Sequence, residues 1–115
     1  NTYDTFRSLV TDSYHDAEPD AKMAKAEELQ AAGDFKGARK LYGDLADNKY
    51  NPVLLAEKAR FLEAECLRAE GKQFDAVSYY NRMLNDHPTG AYRERGCAAM
   101  YEIAYGWLRE STLAG

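Results

Sequence analysis

The sequence contains a repeat that leaves little freedom for its fold. Two stretches match when one is moved 38 positions along the other, and the matched pairs are Gly33 with Gly71, Ala38 with Ala76, and Tyr42 with Tyr80. A repeat of this length that forms a pair of helices cannot bury its apolar side alone, so successive copies must stack. The sequence therefore predicts a helical solenoid whose function lies on a surface.

Length sets the scale of this solenoid. The 115 residues suffice for one domain with a modest core, but they are few for a complete repeat array, so we expect a fragment of a longer protein. The chain begins at Asn1 without a basic and apolar leader, and it holds no run of eighteen apolar residues. These residues are thus expected to contain neither a signal peptide nor a membrane span.

The net charge of −4 arises in the N-terminal segment of the chain. Residues 1–20 hold five acidic side chains and one basic one, whereas residues 21–115 hold 14 of each. Phosphate binding needs a clustered positive surface, and the densest basic spot, Arg93 and Arg95, is interrupted by Glu94. We therefore expect no nucleic-acid binding.

Apolar residues at three- and four-residue spacing predict six helices. The predicted spans are about 3–14, 19–32, 35–46, 52–70, 73–85 and 91–111. Gly33 and Gly71 should end the second and fourth helices, and Asp34 should cap the third. Asn51 is placed to be the N-cap of the fourth helix, with Pro52 as its first residue. No segment alternates with period two for long enough to form a strand, so the predicted fold is all-α.

The candidate chemical groups are few. Cys66 and Cys97 lie among helix-forming neighbours, where a thiol can pack, form a disulfide between successive helices, or serve as a reactive or metal-binding group. His15 and His87 lie at predicted helix ends, which favours a solvated or capping role. The sequence has no nucleophile elbow, phosphate loop or zinc-binding motif. We predict a noncatalytic chain with no cofactor and no metal site.

The two repeats resemble tetratricopeptide (TPR) repeats. That family has a small residue in each helix at the crossing, a glycine in the turn, an aromatic residue in the second helix, and a proline after it. The matching residues are Ala26, Gly33, Ala38, Tyr42 and Pro52 in the first repeat, and Ala64, Gly71, Ala76, Tyr80 and Pro88 in the second. The resemblance implies a right-handed superhelix of antiparallel helix pairs. It divides the chain into an N-terminal amphipathic helix (1–16), two repeats (17–52 and 53–90), and the first helix of a third repeat or a capping helix (91–115).

A narrower resemblance follows from two departures. The first repeat is four residues longer than the TPR norm, and the turn aromatic moves from two residues after the glycine (Phe35) to three (Phe74). Such repeats are typical of the BamD-like (YfiO-like) branch, the periplasmic lipoproteins of the outer-membrane barrel assembly machine. Residues 76–92 look like a motif of that branch, in which alanine, an aromatic residue and leucine are followed by proline, a small residue and tyrosine. Residues 101–108 look like the next helix in related bacterial envelope proteins. The resemblance implies a bacterial periplasm or cell-envelope location, with the cytoplasm and a lipid anchor upstream of residue 1 both left open.

The TPR register also implies a binding face. It places the first helix of each repeat on the concave side, where the candidate residues are Met23, Glu27, Gln30, Phe61, Glu65 and Arg68. We predict that this face binds a protein or peptide partner, with Phe61 as the anchor and with Glu27 and Glu65 favouring a partner that carries positive charge. The lysine and asparagine with which some TPR domains clamp carboxylate-terminated chaperone tails are absent from these positions.

Three alternatives stay open at this point. The candidate side chains could merely contact adjacent helices. The N-terminal helix could cover the groove, or cap the first repeat, through Phe6, Leu9 and Val10. The chain could also be a structural spacer within a longer TPR solenoid.

Overall fold

The computed structural model describes residues 18–114, with side chains described through residue 112. Five helices cover most of this range: α1 (18–31), α2 (Phe35–Asp47), α3 (Val53–Ala69), α4 (Gln73–Asp86) and α5 (Arg93–Ala114). Their ends agree with the predicted ones to within three residues, and no strand occurs in this range. The all-α prediction is confirmed. The helix predicted over residues 3–14 lies outside the described residues.

The turns α1–α2 and α3–α4 are built in the same way. Gly33 and Gly71 have φ angles of 87° and 82°, in the left-handed region that only glycine adopts readily. In both turns the glycine N–H donates to the carbonyl three residues back at 3.0 Å, and the next N–H donates to the carbonyl five residues back at 2.9 Å. This pairing satisfies the last carbonyls of the helix. Both glycines therefore end their helices as predicted, and Asp34 caps α2 by accepting from the Gly37 N–H at 2.9 Å.

The core follows the repeat. The alanines predicted at the helix crossings are fully buried in both copies: Ala26 with Ala38, and Ala64 with Ala76. One cluster joins α1, α2 and α3 and includes Ala59 and Cys66 from α3. A second joins α3, α4 and α5, and it takes Phe61 and Leu67 from another side of α3. Each helix pair thus uses the next odd-numbered helix to complete its core.

Because the alanine crossings have no free space, a larger side chain should be costly there. We expect Ala76→Leu to lower the free energy of unfolding by about 1–3 kcal/mol, through overpacking against α3. Urea unfolding followed by circular dichroism measures this loss. Ala98→Leu is the matched control, since Ala98 is exposed on α5. Equal stabilities for the two variants would contradict tight packing at Ala76 and, with it, the alignment of the two repeats.

The start of α3 differs from the prediction by one residue. Pro52 is the N-cap, with an extended ψ of 141°, and Val53 is the first helical residue. The Asn51 side chain makes no cap bond to α3; its amide donates to the Leu45 carbonyl at 2.9 Å. Asn51 therefore closes the end of α2 rather than opening α3. The prediction was wrong because it considered only the helix that follows and not the exposed carbonyls of the helix before.

Phe74, the turn aromatic of the second repeat, lies on the surface. Its side chain is 77% exposed, and its ring stacks on that of Trp107 with the centroids 4.6 Å apart. It therefore covers the outside of the α4–α5 contact and takes no part in the core.

Candidate partner-binding face

The odd-numbered helices lie side by side, and exposed ion pairs join them. Lys58 on α3 pairs with Glu27 on α1 at 3.3 Å, and Arg68 on α3 pairs with Glu102 on α5 at 2.9 Å. We call the surface formed by Glu27, Lys58, Glu65 and Arg68 the odd-helix face. Three of the six predicted site residues, Glu27, Glu65 and Arg68, are on this face. A fourth, Gln30, lies at its edge, one turn beyond Glu27, and is half-buried.

The two apolar site residues are not exposed on this face. Met23 belongs to the first core cluster and Phe61 to the second, where its side chain is only 8% exposed. The Phe61 ring lies 5.9 Å from that of Tyr80 and 5.2 Å from that of Tyr92, measured between centroids. Phe61 is therefore not available as an exposed anchor on this face. Its position on the first helix of the repeat turns its ring toward α4.

Two of the polar site residues hold the buried tyrosines. The Tyr42 hydroxyl donates to Gln30 Oε1 at 2.6 Å, and the Tyr80 hydroxyl donates to Glu65 Oε1. Burial raises the pKa of both phenols, and at Tyr80 the nearby carboxylate raises it further. Arg68 occupies the repeat position of Gln30 and cannot accept a hydrogen bond, so Tyr80 uses the acceptor one turn earlier. The acidic Glu65 thus has a structural role on the odd-helix face.

A buried charged cluster was missed by the sequence analysis. Arg60 is 3% exposed; it donates to Glu63 at 2.6 Å and also to Asp47, and its guanidinium lies 5.8 Å from the Tyr79 ring centroid. Burial raises the pKa of Glu63, while the hydrogen bond and charge of Arg60 oppose that rise. A Cβ at Gly43 would lie 2.6 Å from the Glu63 carboxylate, so this glycine provides room for it. The sequence does contain a signal for this cluster, because Arg60 and Glu63 are opposite charges three residues apart within an apolar stripe.

A second buried carboxylate fixes the start of α5. Glu57 on α3 is 2% exposed, and its two oxygens accept from the backbone N–H groups of Ala91 and Tyr92, both at 3.0 Å. A Cβ at Gly90 would lie 1.8 Å from the same carboxylate, so only glycine fits there. Glu57 therefore supplies the cap that α5 needs, from a residue more than thirty positions earlier.

The cysteines are in different environments, and both are free. Cys66 is fully buried, which confirms the packing interpretation there, whereas Cys97 is exposed on α5 and contradicts it. Burial, followed by the charges of Glu70 and Glu65, raises the pKa of the Cys66 thiol to about 12.

This raised pKa predicts a loss of stability at alkaline pH. The unfolded chain releases the Cys66 proton above its ordinary pKa of 9.0, but the folded chain retains it up to about 12. The free energy of unfolding should therefore fall as pH rises through that window, by at most about 1.4 kcal/mol per pH unit for one proton. Cys66→Ala should reduce the slope just above pH 9 in urea unfolding. Equal slopes for the variant and the unaltered chain would contradict this assignment.

Metal clusters and membrane-spanning helices are absent from residues 18–114. No three His, Cys, Asp or Glu side chains in that range come together as metal ligands, and no helix there is long and apolar enough to cross a membrane. Compared with family models, with curated proteins and with solved structures, the chain has no match. The function is therefore inferred from the geometry of residues 18–114.

Proposed function

We propose that this chain is a noncatalytic, TPR-like interaction module whose odd-helix face binds a protein or peptide partner carrying positive charge. The observation that carries the proposal is the alignment of α1, α3 and α5, which Glu27–Lys58 and Arg68–Glu102 join side by side. Repeated helix pairs aligned in this way present one long surface, which suits an extended ligand.

The charges of this face favour that partner. Glu27 is exposed and its ion pair with Lys58 is open to solvent, so a basic side chain of a partner can replace the lysine at little cost. Glu65 is half-buried, and within residues 18–114 it accepts one hydrogen bond, from Tyr80 to Oε1, so no residue of that range occupies its second carboxylate oxygen. Two carboxylates on neighbouring helices can then contact lysines or arginines spaced along one peptide.

The cellular role rests on the narrower resemblance alone. Residues 76–92 and 101–108 resemble BamD-like TPR lipoproteins, so we propose an adaptor of the bacterial cell envelope. The motif in residues 76–92 also has a packing role in this chain, because Met83 is buried and Tyr92 contacts Phe61.

The test is peptide selection from a phage-displayed random library, followed by titration of a synthetic selected peptide. We expect the selected peptides to be rich in lysine and arginine. The double variant Glu27→Gln/Glu65→Gln should weaken binding at least about tenfold, because it removes both charges while a glutamine can still accept from Tyr80.

The matched control changes the same net charge on even-numbered helices. Asp44→Asn/Asp86→Asn alters exposed carboxylates of α2 and α4 and should leave the affinity unchanged. Equal weakening by both double variants would mean that only the overall charge matters. Unchanged binding in both would move the site away from the odd-helix face.

A further inference from the structure

The outer side of α5 carries an exposed apolar stripe. Tyr101, Tyr105 and Leu108 are 72%, 53% and 66% exposed, and their spacing of four and three residues places them on one side of the helix. The two tyrosine rings stack at 6.3 Å between centroids, and a hollow next to them is lined by Tyr105, Leu108, Arg109 and Thr112. We call Tyr101, Tyr105 and Leu108 the α5 stripe.

The position on α3 that is equivalent to Tyr101 is covered by a helix. Ala59 and Cys66 on α3 pack on the preceding helix pair, and Gly96 and Ile103, each 37 positions later, do so on α5. The same offset places Tyr101 at the position of Ala64, which is fully buried against α4. Tyr101 therefore continues a surface on which the chain has already packed a helix, while Tyr105 lies at the position of Arg68 and Leu108 at that of Gly71.

The stripe is not suited to another helix pair of the same kind. The crossing alanine of α1 and α3 is replaced by Tyr101, whose ring prevents the close approach that Ala64 and Ala76 make. Gly71 ends the hairpin of α3 through its left-handed conformation, whereas α5 continues through the equivalent position, Leu108, to Ala114. The helix that covers this stripe must approach at a greater distance, with large side chains between the two axes.

The charges beside the stripe are self-complementary. Glu102 and Arg109 lie seven residues apart, about two turns, on the same flank of the stripe. Arg109 is exposed and makes no ion pair within residues 18–114. In a two-fold antiparallel pair of helices centred between residues 105 and 106, each Glu102 faces Arg109 of the other copy. A parallel arrangement would not bring these groups together.

We propose that the α5 stripe is a self-association surface at which two copies of this chain pack α5 against α5 in antiparallel orientation. Tyr101, Tyr105 and Leu108 become buried in both copies, and two Glu102–Arg109 ion pairs fix the direction. This isologous interface leaves Glu27, Lys58 and Glu65 of the odd-helix face open, and it shares Glu102 with Arg68, the fourth residue of that face. The proposed dimer is therefore a property of the chain additional to the proposed partner binding, and it does not depend on that binding.

The experiment is sedimentation equilibrium of the full chain up to about 100 µM, the range in which small transient interfaces associate. The background is Cys97→Ser, which prevents disulfide formation through the exposed thiol. We expect a reversible dimer. Tyr105→Ser, Glu102→Arg and Arg109→Glu should each raise the dissociation constant at least about tenfold.

Mixing the two charge variants tests the orientation. Arg109→Glu carries two acidic side chains on this flank and Glu102→Arg carries two basic ones, so an equimolar mixture should form a heterodimer at concentrations at which each variant alone is mostly monomeric. Arg68→Gln and Glu110→Arg are the controls. The first removes the Arg68–Glu102 ion pair within the chain, the second alters the other side of α5, and both should leave the dimer intact.

Three results would overturn the proposal. One is a monomer over the whole concentration range. Another is a dimer that Tyr105→Ser and Arg109→Glu do not weaken, because the interface would then be elsewhere. The third is a dimer that appears only after residues 1–16 are deleted, which would assign the stripe to that segment.

Discussion

Replacing Arg60 by methionine should lower the free energy of unfolding by about 3–5 kcal/mol, because Glu63 then stays buried without its partner. Methionine retains most of the aliphatic length, so the loss reports the missing charge rather than a cavity. Thermal and urea unfolding measure it. Since a small domain has only about 5–15 kcal/mol of stability, this is the largest single effect that we expect in the chain.

The double variant Arg60→Met/Glu63→Leu is the decisive comparison. It removes both buried charges and should recover most of the lost stability, because apolar side chains of similar volume can replace a buried ion pair. A double variant as unstable as Arg60→Met alone would show that the loss comes from packing.

The pH dependence of the single variant provides an independent check. Burial raises the pKa of Glu63 and Arg60 opposes that rise, so the folded pKa should increase further in Arg60→Met. An acid whose folded pKa is raised destabilises the fold as pH rises from its ordinary value, 4.5, through the folded value. The variant should therefore lose less stability at pH 5 than at pH 7, and the double variant should not show this difference.

Replacing Glu57 by alanine should cost about 3 kcal/mol, because two partly buried N–H groups just before α5 lose their acceptor. The loss should be concentrated in α5. Hydrogen exchange is expected to show faster amide exchange at Ala99 and Ile103 than in the unaltered chain, with less change at Ala38 in the first core cluster. Uniform acceleration across all helices would contradict a local role for Glu57.

Gly90→Ala tests the same contact from the other side. Its added methyl group occupies the place of the Glu57 carboxylate, so α5 should again be released. Glu57→Gln, which keeps one oxygen acceptor but turns an N–H₂ group toward the other backbone N–H, should fall between the alanine variant and the unaltered chain.

The sequence predicted the helices and turns well because their signals are local. Gly33 and Gly71 adopt a backbone conformation that other residues avoid, and the alanines of the crossings recur at a fixed distance from them. The interior of the repeat thus follows from residue size and spacing. The superhelical arrangement as a whole stays a prediction.

The candidate site was less predictable, for physical reasons visible at single residues. Helical register places Phe61 on the correct helix, but whether it faces a groove or the next helix depends on packing across the repeat. Arg60 and Glu57 were not singled out from the sequence, since hydropathy does not show that Glu63 or a pair of backbone N–H groups lies within hydrogen-bond distance of them.

The clamp between Glu57 and the start of α5 sets the boundaries of a transplantable module. Its acceptor and Gly90 lie within residues 53–90, while its donors, Ala91 and Tyr92, lie just before the helix that follows. A tandem duplication of residues 53–90, cut between Pro52 and Val53 and again after Gly90, would keep both the Glu57 carboxylate and the glycine that accommodates it in every copy. A cut placed at the glycine turns would instead separate the carboxylate from the glycine that accommodates it.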